Sequence, residues 1–271
     1  MNYWQGKVAL VTGGSSGLGQ AIARELCRQG AKVVIAARTA DKLEAVAKEL
    51  GAEAAGHGGD VLAVPADIRQ QADVDALVKN TIERFGRLDA LFNNAGSSAR
   101  GSAIDTTAEE FADLMDLNVT ALVRCTRAAM PHLLASQGHL VNIGSLAGKT
   151  AARYMGAYSA TKHAVSAYSQ QLRLELDSQG LHVLLVSPGP IARSEPRTYS
   201  EEKVASLPES ARKPGGGAKV NLLQPAALAA RILRACEKRQ PELVVPGKAR
   251  LVFAISQLWP SLGDWIIRKM T

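Results

Sequence analysis

The sequence predicts a single doubly wound α/β domain, and three observations point to it. Short β-branched runs alternate with longer helical stretches along most of the 271 residues. The strands are apolar throughout, which suits a sheet buried on both faces. A glycine-rich turn, Thr12-Gly13-Gly14-Ser15-Ser16-Gly17-Leu18-Gly19, joins the first strand to the first helix. In such a fold parallel strands are linked by right-handed helical crossovers.

Residues 7–11 (KVALV) form the first predicted strand and 18–29 the first helix. Residues 32–37 (KVVIAA) are the second strand, followed by a helix over 41–50. A short strand at 61–64 leads into a helix over 71–85, and 88–93 (LDALFN) is the fourth strand. Residues 108–135 carry one long helical pattern, with Pro131 near its end. Residues 139–143 (HLVNI) and 181–186 (LHVLLV) are strands on either side of a helix over 157–178. The last helix of the alternation spans 224–238, with Pro225 acceptable in its first turn, and 242–245 (ELVV) is the last strand. No linker or internal repeat separates a second domain, so residues 1–247 read as one domain with seven strands.

Two segments break the rhythm. Residues 190–223 are long, polar and rich in Gly and Pro, including Gly215-Gly216-Gly217. They follow the sixth strand at the carboxyl edge of the sheet, where ligands bind, and are expected to form a mobile substrate lid. The mixture of Arg193, Glu195, Arg197, Glu201 and Lys203 there indicates no substrate class. Residues 248–271 form an extension rich in Leu251, Val252, Phe253, Ile255, Leu258, Trp259, Leu262, Trp265, Ile266 and Ile267. Lys248, Arg250, Arg268 and Lys269 flank it against only Asp264, and Pro260 should split it into two short helices. Two uses stay open: docking on the protein itself or a partner subunit, and peripheral contact with an anionic membrane surface.

The hydrophobic fraction of 46% and charged fraction of 21% are ordinary for a globular chain. A chain this long buries a full core without a disulfide or metal. Cys27, Cys125 and Cys236 are odd in number and widely spaced, which argues for a reducing compartment and for thiols acting as small apolar groups. Residues 1–6 are too short for a secretory leader before the first apolar run, and no uncharged stretch reaches spanning length. A cytoplasmic protein, at most associated with a membrane surface, is expected. The net charge of +7 suits an anionic cofactor or surface. No nucleic-acid recognition pattern is present. His57, His132, His139, His163 and His182 lack metal spacing and read as surface or packing residues, so no metal is expected.

The glycine turn has the chemistry of a dinucleotide cradle. Glycine lets the backbone turn tightly and lets a pyrophosphate approach, while the helix amino terminus offers free N–H groups. Gly13, Ser15, Ser16, Gly17, Leu18 and Gly19 are the candidate cofactor contacts, in a T-G-x-x-x-G-x-G spacing. The second strand ends at Ala37-Arg38-Thr39, with no carboxylate before Asp41. A carboxylate would bind the ribose 2′-hydroxyl of NAD, whereas Arg38 attracts a 2′-phosphate. NADP(H) is therefore expected over NAD(H).

Tyr158 and Lys162 stand four apart in a predicted helix and so share one face. A free tyrosine, with a pKa of about 10, is poorly matched to neutral pH. A nearby ammonium stabilises the phenolate. Ser145 follows a strand end, where its hydroxyl can polarise a carbonyl oxygen. Tyr154 is expected to face the same cleft, but it has no lysine four residues later.

With Asn93-Asn94-Ala95-Gly96, Asn118 and Pro188-Gly189, these motifs make the chain resemble a short-chain dehydrogenase/reductase over roughly residues 7–245. The resemblance implies a Rossmann-type sheet of seven parallel strands and an NAD(P)-linked oxidation or reduction. It implies that Tyr158 is the general acid/base, that Lys162 tunes it and binds ribose, and that Ser145 positions the substrate oxygen. Asn118 would hold a water that links Lys162 to solvent. Asp67 and Ile68 would contact the adenine, Asn94, Ala95 and Gly96 the adenosine side, and Pro188, Gly189 and Ile191 the nicotinamide. Many members carry threonine where this chain has Arg193; either the adjacent Ser194 substitutes for it, or Arg193 contacts a phosphate or an acidic substrate. The expected activity is interconversion of a carbonyl and a secondary alcohol in a small, hydrophobic substrate. A 3-oxoacyl thioester reductase, a dehydrogenase of lipid-like or steroid-like alcohols and a non-enzymatic nucleotide-sensing module are the alternatives. A homodimer or homotetramer is expected.

Overall fold

The computed structural model describes residues 2–193, 207, 208, 212 and 221–270. Seven parallel strands form one sheet in the order β3-β2-β1-β4-β5-β6-β7. They are β1 (Val8–Thr12), β2 (Lys32–Ala37), β3 (Asp60–Pro65), β4 (Ala90–Asn93), β5 (His139–Ile143), β6 (His182–Pro188) and β7 (Glu242–Val245). Helices α1 (Gly17–Arg28), α2 (Ala40–Ala55) and α7 (Pro225–Glu237) cover one face. Helices α3 (Gln71–Phe85), α5 (Ala121–Ala135) and α6 (Tyr158–Leu176) cover the other.

Alternation along a strand explains why the strands read as unbroken apolar runs. Ala9 and Val11 of β1 pack toward α1 and α7 with Ile22, Leu26 and Ile232. Val8 and Leu10 pack the opposite way, with Leu77 and Leu133. Both faces are buried, so both phases of the strand are apolar. Strand β1 pairs with β2 on one side and β4 on the other, and the winding reverses there. That reversal opens a crevice at the carboxyl edge.

The structure departs from the sequence reading in several places. Helix α2 runs past Gly51 to Ala55, because Leu50 and Ala54 are still on its buried face. The long helix expected at 108–135 is α4 (Ala108–Met115), a π turn (Asp116–Thr120) and α5. Helix α4 starts at a capping box in which Thr107 and Glu110 satisfy each other's backbone N–H groups. The apolar extension forms α8 (Ala249–Leu258) and α9 (Pro260–Met270), broken at Pro260 as expected. Most of the expected lid, including Ser194, Glu195, Arg197, Glu201, Lys203 and Gly215-Gly216-Gly217, lies outside the described residues. Cys27, Cys125 and Cys236 are buried and free, and burial pushes the Cys27 and Cys125 thiols up to about 12.

Two histidines separated in sequence meet at the amino edge of the sheet. His139 Nδ1 lies 2.8 Å from His182 Nδ1, His139 Nε2 lies 2.7 Å from the Tyr3 hydroxyl, and His182 Nε2 lies 2.8 Å from the Gln240 carbonyl. A carbonyl only accepts, so His182 Nε2 carries the proton and donates. His182 Nδ1 then accepts from His139 Nδ1, and His139 Nε2 accepts from Tyr3. Every ring nitrogen is used with both rings neutral. Cys236 also comes within 4.8 Å of these nitrogens. Because the nitrogens already serve the hydrogen-bond chain, the cluster reads as a satisfied polar core.

Burial first, then the neighbouring His182, hold His139 down to about 3, and burial also lowers His182. The unfolded chain therefore binds protons that the folded chain refuses between about pH 6.5 and 3. Stability should fall as pH drops below about 6.5, with His139 contributing up to about 1.4 kcal/mol per pH unit. Urea unfolding at a series of pH values checks this. The slope should flatten in the double variant His139→Leu/His182→Leu, and an unchanged slope would refute the assignment.

Candidate active site

Strand β1 delivers Thr12 to the crevice, where its side chain locks β1 to β4. Thr12 Oγ1 donates to the Phe92 carbonyl at 3.3 Å and accepts from the Asn94 and Ala95 N–H groups at 3.0 and 3.1 Å. Asn94 Nδ2 in turn donates to the carbonyls of Thr12 and Gly13, at 3.0 and 3.3 Å. The chain then turns into α1 through Gly17, whose φ of +54 favours glycine. A Cβ there would meet no other atom, so the backbone is open to the cavity. Ser16 caps α1 without a side-chain bond, and the first turn carries no acid. The helix terminus thus presents unneutralised N–H groups to the cavity.

A cavity of about 1380 Å³ runs along this edge. Gly13, Ser15, Ser16, Gly17, Leu18, Arg38, Asp67, Ile68, Asn94, Ala95, Gly96, Ser145, Tyr158, Lys162, Pro188, Gly189 and Ile191 all line it. Gly19 and Asn118 stand behind its wall. A Cβ on Gly19 would lie 2.2 Å from the Gly13 carbonyl oxygen, so its contribution is close packing of helix on turn. Arg38 is exposed and forms no hydrogen bond or ion pair among the described residues. Tyr154, expected in the cleft, is absent from the wall, and Met155 takes that place.

Tyr158 opens α6, and Lys162 follows one turn later on the same face. Lys162 is 7% exposed, so its ammonium needs partners on site. Its Nζ donates to the Ile143 carbonyl at 2.8 Å and lies 5.9 Å from the centre of the Tyr158 ring. Ser145 leaves β5 at the same edge, and its Oγ accepts from the Ala147 N–H at 3.1 Å. The following short 3₁₀ turn, Leu146–Gly148, presses on α6: a Cβ on Gly148 would sit 2.4 Å from the Lys162 carbonyl oxygen.

Asn118 sits in the π turn, a local insertion that recurs at functional sites. Its Oδ1 accepts from Ser97 N–H at 2.8 Å, and its Nδ2 donates to the Ser97 carbonyl at 2.9 Å and to Thr161 Oγ1 at 3.0 Å. The side chain braces the loop after β4 against the residue preceding Lys162. Beneath it, Asn93 Nδ2 donates to Thr126 Oγ1 and Asn142 Oδ1, and Asn142 Nδ2 donates to Ser169 Oγ. In the sequence Asn93 was part of the Asn93-Asn94-Ala95-Gly96 motif at a strand end; its buried network is visible in three dimensions alone.

The cavity has two characters. Its charged lining among the described residues is Arg38, Arg100, Lys162, Arg193, Arg212 and Lys248 against Asp67. Leu146, Met155, Ile191 and Leu222 add apolar wall, with the Arg100 guanidinium set against Met155 Sδ at 2.9 Å. The inner faces of α8 and α9, with Val252, Phe253, Ile255, Ile266 and Ile267, complete this wall. The apolar pattern of the extension was visible in the sequence, but its place on the cleft was not.

Such a cleft defines the class of dinucleotide-linked oxidoreductases. The chain belongs to the short chain dehydrogenase family, whose model matches residues 7–204. It is 35% identical to a dehydrogenase/reductase SDR family protein 7-like from Anopheles gambiae over 97% of this chain and 83% of that protein. A short-chain dehydrogenase from Streptomyces avermitilis superposes with a TM-score of 0.80 at 31% identity, covering 96% of each chain. The L-sorbose reductase of Gluconobacter frateurii, in complex with NADPH and L-sorbose, superposes with a TM-score of 0.76 at 27% identity, covering 90% of this chain and 97% of that one.

Replacing Asn118 by Ala leaves the Ser97 N–H and carbonyl without their side-chain partner and removes one of the two bonds of Thr161 Oγ1, which still donates to the Tyr158 carbonyl. Unfolding free energy should drop by about 1–3 kcal/mol in urea titrations. A loss below about 0.5 kcal/mol would show that the brace carries no weight.

Proposed function

We propose that the protein interconverts a carbonyl and a secondary alcohol with NADP(H), using Tyr158 as general acid/base. One observation carries this reading: Tyr158 and Lys162 share a face of α6 and line the same cavity as Ser145 and the glycine turn. The cradle fits a dinucleotide, because Gly17 leaves open space and the α1 terminus faces it without an acid. Gly13, Ser15, Ser16, Gly17 and Leu18 would hold the pyrophosphate, with Gly19 packing behind them. Asp67 and Ile68 would bound the adenine, and Asn94, Ala95 and Gly96 the adenosine. Pro188, Gly189 and Ile191 would flank the nicotinamide, which supplies or accepts the hydride when bound.

The remaining steps belong to the chain. Ser145 orients the substrate oxygen by hydrogen bonding. Tyr158 gives that oxygen a proton in reduction and takes it back in oxidation. Lys162 faces the phenol and stabilises the negative charge left on it. The hydrogen bond to the Ile143 carbonyl holds the ammonium in place. Asn118 is a positioning residue in this reading, since its amide is committed to Ser97 and Thr161. Arg38, just past the end of β2 and without an ion pair among the described residues, selects a 2′-phosphate.

Tyr158→Phe should lower kcat by about 10²–10⁴-fold while leaving NADPH affinity largely intact. Turnover is read from nicotinamide absorbance across a panel of ketones, long-chain ketones and 3-oxoacyl thioesters. Near-normal turnover in the variant would remove Tyr158 from the mechanism. Arg38→Ala should shrink the preference for NADPH over NADH by about tenfold or more, as expected for loss of a charge-assisted hydrogen bond. An unchanged ratio in equilibrium binding would contradict the assignment.

A further inference from the structure

Helices α8 and α9 fold back on each other as a tight hairpin. Gly263 is buried at their crossing, where a Cβ would stand 2.5 Å from Ser256 Cα. Arg153 Nη2 reaches the Arg268 carbonyl at 3.4 Å, tying α9 to the loop before α6. The hairpin's two faces are both apolar, yet among the described residues only one is covered. The inner face closes the apolar end of the cavity. The outer face leaves Leu251, Leu258, Trp259, Leu262 and Trp265 at 67, 67, 60, 46 and 53% exposure. Helix α8 fully buries none of its residues. Leu251 belongs to both sets: it lines the cavity and is two-thirds exposed. The cavity rim is therefore continuous with the outer patch.

The charge around that patch selects its occupant. Lys248 and Arg250 stand at the start of α8 and Arg268 and Lys269 in the last turn of α9, and Asp264 is the only acid of the hairpin. Lys269 Nζ lies 4.0 Å above the Trp265 ring, so a cation and an aromatic form one amphipathic edge. A second copy of this chain, docked by the same patch, would set one cationic rim against another. An anionic lipid surface satisfies the apolar face and the cations together, and exposed tryptophans suit the headgroup boundary. No helix among the described residues is long and apolar enough to cross a membrane, so the contact lies in the plane of the surface.

We propose that the α8–α9 hairpin docks on an anionic bilayer through Leu251, Leu258, Trp259, Leu262 and Trp265, and that the cavity draws a lipid-soluble carbonyl or alcohol across the Leu251 rim. The substrate part rests on the oxidoreductase reading above; the docking part does not. Docking places the apolar end of the cavity against the acyl boundary. A substrate that partitions into the bilayer then reaches Tyr158 without crossing water.

Flotation of the full chain with vesicles tests the docking. Phosphatidylcholine vesicles carrying about 30 mol % phosphatidylserine should carry the protein up, and pure phosphatidylcholine should do so at least about tenfold less. The double variant Trp259→Ser/Trp265→Ser, confirmed as folded by circular dichroism, should lose flotation by about tenfold or more. Of the three tryptophans, Trp4 is fully buried, so a fluorescence blue shift on anionic vesicles reports Trp259 and Trp265. No flotation, flotation unchanged in the variant, or patch-dependent dimerisation without vesicle binding would each overturn the proposal. Flotation needs no turnover. Protein that floats but never oxidises NADPH sinks only the catalytic reading, and protein that reduces soluble ketones but never floats sinks only this one.

Discussion

The arrangement rests on how β1 is joined to β4 at the point where the sheet's winding reverses. Two parallel strands end there side by side, and their last N–H and carbonyl groups leave the ladder in a half-buried place. Left unpaired, each would cost on the order of a hydrogen bond's full desolvation. Thr12 and Asn94 settle this reciprocally, through the threonine hydroxyl and the asparagine amide. The same bonds fix where the glycine turn begins and so where the first helix points its amino terminus. Sheet order, turn and helix field therefore converge at one edge.

The second constraint is a nearly buried lysine, whose amino group needs a partner inside the protein. Lys162 reaches that state because β5 ends with a free carbonyl at Ile143 and because α6 is pressed close by the Gly148 turn. Asn118 holds the opposite wall by spanning the loop after β4 and Thr161. The π turn under Asn118 shifts the register between α4 and α5 by one residue. Outside it, Asp116 pairs with Arg69 and Arg124 at 2.8 and 2.9 Å, linking this turn to the Asp67-Ile68 corner. The Asp67-Ile68 corner and the wall beside Lys162 are thereby tied to one short segment.

The strands were legible because both of their faces are buried, which leaves an uninterrupted apolar signature. Ser145, Tyr158 and Lys162 were legible because helical spacing and a strand end bring such side chains to one edge in this fold. Other features had no local signature. A π turn looks like any helix in a one-dimensional pattern. Gly51 has the appearance of a helix stop, yet α2 continues because Leu50 and Ala54 still find the core. His139 and His182 look like unrelated surface or packing residues until β5 and β6 lie side by side. Asn93 and Asn142 likewise meet only across paired strands.

The extension shows the division most clearly. Its composition alone called for two short helices with an apolar surface to cover, because Pro260 cannot continue a helix and its charge is nearly all positive. Composition could not say which face would be covered. Tertiary structure decided that: the Gly263–Ser256 crossing turns one face onto the cavity and the other to the outside. The sequence by itself determined the strand alternation, the glycine turn, and the serine, tyrosine and lysine, since each follows from spacing along the chain. The braces, the buried histidine pair and the two-faced hairpin depend on contacts between residues far apart in sequence. Only the closed sheet and its packed helices bring those residues within reach of one another.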